Sequence, residues 1–117
     1  MSFLLNYKFP KELKIRRTSD YEEIFGSSKR LRSKHFDILY VKNKLGYSRA
    51  GLVVGKKNVR SAVKRNRIKR VVREVYRKNK SLFNSFDVVF LAKKYCDTLN
   101  YSEVKQEFEE IIRSQLS

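Results

Sequence analysis

Cysteine occurs once in this 117-residue chain, histidine once, proline once and tryptophan not at all. A single thiol closes no intramolecular disulfide, and one histidine beside one cysteine leaves no zinc-binding constellation. That usage points to reducing cytosol and hence a cytoplasmic localisation, with Cys96, at the end of an apolar segment, expected to be inert packing. The apolar run Val88 to Ala92 falls far short of the roughly 20 residues that span a bilayer, so no membrane partner is expected. The stretch MSFLLNYKFPKELKIRR carries no basic region ahead of its apolar residues and does not read as a secretory signal. Neither a GxxxxGKS/T loop nor a GxGxxG loop is present, which leaves nucleotide hydrolysis without support.

Carboxylates are scarce where chemistry would need them. Of 12 acids, five lie between Asp97 and Ser117, and only seven are spread over the preceding 96 residues. Glu22 and Asp20 suit the start of a helix, as cap and first-turn acid. Asp37 and Asp87 are the remaining candidates for a general base or a metal ligand. Pairing with the many nearby cations accounts for them more simply, and His35 has no evident catalytic partner. No catalytic residue, protein-bound metal or cofactor is assigned.

What the chain has in excess is positive charge: 28 Lys and Arg, a formal net charge of +16. It is concentrated in Val59 to Lys80, VRSAVKRNRIKRVVREVYRKNK, where charge and apolar residues are sorted by the helical period. Ile68, Val71, Val72 and Val75 follow the i, i+3, i+4, i+7 pattern, with Tyr76 at the edge of the stripe. Asn66, Arg70, Arg73 and Arg77 fall on the other side, flanked by Arg67 and Lys69. A merely solvated face mixes signs, whereas residues 56 to 80 contain twelve basic residues and one acid, Glu74. Like charges crowded in this way call for an anionic partner, and a phosphate backbone is the natural one.

With 41% apolar and 13% aromatic residues, the chain has material for one core, and residues 1–117 read as a single domain. Residues 1 to 17 are expected to form an irregular basic arm. Ser19 and Glu22 make a capping box for a short helix carrying Tyr21, Ile24 and Phe25, which Gly26 stops. From His35 to Asn43 the pattern alternates, with Phe36, Ile38 and Tyr40 on one side and Asp37, Leu39 and Val41 on the other. Arg49 to Gly55 gives a second strand, and Gly46 between the two suggests an antiparallel hairpin. Phe86 to Ala92 is a near-continuous apolar run that suits a strand covered on both faces. Asn100 with Glu103 caps an amphipathic last helix bearing Val104, Phe108, Ile111 and Ile112.

Several features together point to nucleic acid. Arg supplies a planar fork for phosphate, and Tyr21, Phe25, Phe36 and Tyr40 either stack unpaired bases or pack in the core. The segment Ala62 to Arg77, AVKRNRIKRVVREVYR, resembles the signature of the bacterial ribonuclease P protein component, and the similarity extends through DYEEIF, the strand opening with Phe36, RAGLVV and FDVVFLA. The resemblance implies an α+β fold, a two-layer αβββαβα sandwich with a left-handed βαβ crossover (ribosomal protein S5 domain 2-like), and a third strand within Lys29 to Lys34. It further implies a subunit that binds ribonuclease P RNA and precursor tRNA, assisting removal of the 5′ leader by a ribonucleoprotein endoribonuclease. Catalysis then belongs to the RNA and its Mg²⁺ ions, and no obligate protein partner is implied. On that basis Lys56, Lys57, Arg65, Asn66, Arg67, Lys69, Arg70 and Arg73 contact the RNA subunit, while Tyr21, Phe25, Phe36 and Tyr40 line the leader cleft. Two positions depart from the family pattern: Arg60, where a glycine is usual in the turn before the long helix, and Asp37, where an apolar residue is usual. The competing readings are a ribosomal or other ribonucleoprotein structural component, a helix-turn-helix DNA regulator and a free-standing nuclease.

Overall fold

A computed structural model describes residues 2–3 and 29–115. The expected helix with Tyr21 and Phe25, and most of the expected arm, lie outside the described residues. Strands β1 (Ser2–Phe3), β2 (Lys29–Arg32), β3 (Phe36–Lys42), β4 (Arg49–Val54) and β5 (Phe86–Ala92) form one sheet in the order β1-β4-β5-β3-β2. Helix α1 (Ala62–Lys78) joins β4 to β5, and helix α2 (Tyr101–Gln115) ends the described fold. Ser2 and Phe3 depart from the irregular arm expected over 1–17, because they pair antiparallel with Val54 and Val53 at the sheet edge.

The expected hairpin between β3 and β4 does not form. Gly46 does turn the chain, with φ +80°, a conformation that favours glycine. The strands on either side nevertheless separate, and β5 lies between them, antiparallel to β3 and parallel to β4. Parallel neighbours need a long crossover, and α1 provides it. As the central strand, β5 has Val88, Val89 and Phe90 buried, as its continuous apolar run predicts.

Both helices pack on one face of the sheet. Ile68, Val72, Val75 and Tyr76 of α1 meet Val104, Phe108, Ile111 and Ile112 of α2 over Phe36, Ile38, Leu52, Val54, Val88 and Phe90. Phe108 stacks on Phe90 with centroids 4.8 Å apart and meets Phe36 edge-on at 5.2 Å. The Tyr76 hydroxyl, fully buried, donates to Ser48 Oγ at 2.6 Å. The opposite face carries a smaller apolar cluster of Leu39, Val53 and Val89, with Val41 and Leu91 beside it.

The caps follow the sequence closely. Ser61 Oγ accepts from the Lys64 amide at the start of α1. Asn100 and Glu103 exchange reciprocal hydrogen bonds of 2.9 and 3.0 Å at the start of α2, the capping box expected there.

Candidate nucleic-acid interface

Burial of Ile68, Val72, Val75 and Tyr76 fixes the rotation of α1, so Asn66, Lys69, Arg70 and Arg73 must lie along its other side, with Arg67 on its flank. Asn66 and Arg70 are exposed; Arg65, Arg67, Lys69 and Arg73 are half-buried. Lys56 and Lys57 are exposed in the turn leading to the helix. The structure therefore brings the eight residues assigned to RNA onto α1 and the approach to it. Glu74, the helix's one acid, is taken up by Arg77 at 2.9 Å and Lys78 at 3.5 Å near the C-terminal end. The hydrogen bond from Arg77, ahead of the charges of Arg77 and Lys78, holds its carboxyl below the usual range. Farther up the face, burial first and then the charges of Arg65 and Arg73 hold the Lys69 ammonium below its ordinary pKa. Cations here crowd one another, and a polyanion would relieve the repulsion.

Two of these arginines also do structural work. Arg65 Nη1 donates to the carbonyls of Val59 and Arg60 at 2.9 and 2.8 Å, clamping the turn before α1. Arg67 Nη1 donates to the carbonyls of Asp97 and Leu99 at 2.8 and 3.0 Å, tying α1 to the turn before α2. Charge pattern does not distinguish such clamps from phosphate contacts. Arg60, at the usual glycine position, is not among the described residues with positive φ. An L side chain is therefore unstrained in this turn.

One of the aromatic assignments needs correction. Phe36 is 0% exposed between the sheet and α2, so it cannot stack a base. Alternation put Phe36, Ile38 and Tyr40 on one side of β3 but did not say which side the helices cover. Tyr40, on that same side, is half-buried with its ring 5.6 Å from Phe86. Tyr21 and Phe25 lie outside the described residues.

Asp37 and Asp87 point away from the helices. Asp87 accepts from Arg49 Nε and Nη2 at 2.9 and 2.6 Å and from Asn43 Nδ2 at 2.8 Å. Asp37 faces Arg30 at 3.4 Å and Lys93 at 3.0 Å, so its charge is paired. The ladder places the two acids opposite Val41 and Leu91, a separation of roughly 13 Å along the sheet at ~3.3 Å per residue. They cannot share one metal ion. His35 has a partner that its sequence neighbours do not reveal: Glu107 accepts from Ser33 Oγ and the His35 amide and lies 2.7 Å from His35 Nδ1, pinning the β2–β3 turn to α2.

Fold and surface together define a class, a small α+β RNA-binding domain whose basic helix bridges two parallel strands. A family model described as Ribonuclease P matches residues 9–115. The chain belongs to the ribonuclease P protein family, whose members are the protein subunits of ribonuclease P. Among curated relatives, the ribonuclease P protein component of Vibrio campbellii is 37% identical over 105 residues, covering 90% of this chain and 89% of that one. The component of Syntrophus aciditrophicus is 42% identical over 98 residues, 83% of this chain and 82% of that one. Among solved structures, the RNase P protein of Thermotoga maritima superposes with a TM-score of 0.76 at 31% identity, covering 86% of this chain and 96% of that one. The Staphylococcus aureus RNase P protein, with a TM-score of 0.77 at 24% identity over 87% of this chain and 94% of that one, shares the fold.

Proposed function

We propose that this protein binds ribonuclease P RNA through the basic face of α1 and Lys56 and Lys57, and in that complex assists removal of the 5′ leader from precursor tRNA. The observation that carries this reading is the row Asn66, Lys69, Arg70 and Arg73, continuous along one face of α1, with the one acid of α1, Glu74, drawn off by Arg77 and Lys78. Bond cleavage is assigned to the RNA subunit, whose Mg²⁺ ions would supply the metal-ion chemistry; the protein's part is to bind and orient. The leader, a single strand, is assigned to Tyr21 and Phe25 and the exposed part of Tyr40, without Phe36. The complex is placed in the cytoplasm.

Salt titration tests the helix face. Each neutralised phosphate releases counterions, so log affinity for structured RNA falls with log salt at a slope of about −0.9 per contact. Arg70→Ala is expected to weaken binding to a bacterial ribonuclease P RNA and to shallow this slope by about one. Unchanged affinity and slope would remove Arg70 from the interface.

A further inference from the structure

Tyr95 is 72% exposed, and its backbone is left-handed, at φ +69° and ψ +4°. A ring-bearing residue adopts that conformation only where its surroundings enforce it. They do so here. The Tyr95 carbonyl accepts from Thr98 Oγ1 at 2.8 Å, Cys96 is fully buried beneath the turn, and Arg67 grips the carbonyls of Asp97 and Leu99. The turn therefore presents an aromatic ring to solvent from a fixed base. Beside it lies an open groove of about 560 Å³, whose lining includes Tyr95, Lys57, Arg60, Lys64, Lys94 and Asp97. Four cations face one carboxylate, and pockets of this volume suit a ligand of nucleotide size.

We propose that this groove binds an unpaired nucleotide of RNA, with the Tyr95 ring stacking on the base and Lys57, Arg60, Lys64 and Lys94 meeting the flanking phosphates. An aromatic platform inside a cationic groove is the arrangement that holds single-stranded nucleic acid without reading its sequence. A duplex would offer Tyr95 no exposed base face. The groove carries the RNA-binding surface past the helix face to the turn between β5 and α2. Of its lining, only Lys57 belongs to the residues assigned from the sequence. The inference rests on the reading of this protein as a binder of ribonuclease P RNA.

The test measures affinity of the full-length protein for a bacterial ribonuclease P RNA across salt concentrations, for wild type, Tyr95→Ala, Tyr95→Phe and Arg70→Ala. Tyr95→Ala is expected to weaken binding about five- to a hundredfold, the effect of losing one base–aromatic stack. Its salt slope should stay that of wild type, because a neutral ring displaces no counterion. Tyr95→Phe should bind as wild type. Both variants should melt with wild type, since the ring makes little contact with the fold. Undiminished binding by Tyr95→Ala, with Arg70→Ala weakened, would overturn the nucleotide site and leave the helix-face reading intact. Equal loss in Tyr95→Ala and Tyr95→Phe would overturn stacking in favour of a hydroxyl contact. Wild-type binding by Arg70→Ala and Tyr95→Ala alike would instead count against the helix-face reading itself.

Discussion

Residue environments make the interior of this small protein sensitive to alkali. Burial raises the Cys96 thiol from 9.0 to about 12 and the Tyr76 hydroxyl from 10.0 to about 12. In the unfolded chain both groups ionise earlier, so between those values the folded state holds more protons and stability falls as pH rises. The stabilisation is fully present below the unfolded values. Above them it declines by about 1.4 kcal/mol per pH unit for each group. Above about pH 9, urea midpoints are expected to fall more with rising pH in wild type than in Cys96→Ala, where of these two groups only Tyr76 remains, acting above about pH 10. The depressed Lys69 works in the opposite sense, but it is common to both proteins, so the difference isolates Cys96. An equal fall in both would show that the thiol is not held neutral by the fold. Thiol reactivity has no place in this environment.

At the scale of elements, α1 serves as crossover, core wall and charged face together. The clamp from Arg67 to the 96–100 turn couples these roles, since the same side chain sits on the cationic face and anchors the approach to α2. Arg67→Ala removes the donor to two carbonyls and is expected to destabilise the protein by about 1–3 kcal/mol, read by chemical denaturation. Arg70→Ala, on an exposed stretch of the same face, should unfold as wild type. Equal stability of Arg67→Ala and wild type would mean that the clamp contributes nothing. The helix-period sorting of Ile68, Val72 and Val75, the Asn100–Glu103 box and the span Phe86–Ala92 were legible because local interactions specify them. The pairing of β4 was not. Its partner β5 lies beyond the whole of α1, whereas Gly46 offered a nearby turn that favoured β3. Phe36 was misplaced for a related reason: period-two alternation sorts residues into two faces, and only packing of α2 decides which face becomes interior.

For the whole molecule, charge asymmetry restricts where RNA is met. Net charge over residues 1 to 96 is strongly positive, while the segment from Asp97 onward has five acids against two bases, so a polyanion is expected to be met by the first part of the chain and repelled by the last. Composition revealed this asymmetry directly. It did not reveal that Arg65 and Arg67 divide their donors between backbone and solvent, or that Asp37 and Asp87 are each committed to arginine or lysine partners about four residues apart along the ladder. The most direct measurement of the central claim is the cleavage rate of a precursor tRNA by bacterial ribonuclease P RNA at low, near-physiological Mg²⁺, with RNA alone, protein alone and both together. Mature 5′ ends should accumulate rapidly only with both. No acceleration by a protein that still binds the RNA would contradict the account and favour a structural ribonucleoprotein role, and cleavage by protein alone would contradict the assignment of chemistry to the RNA.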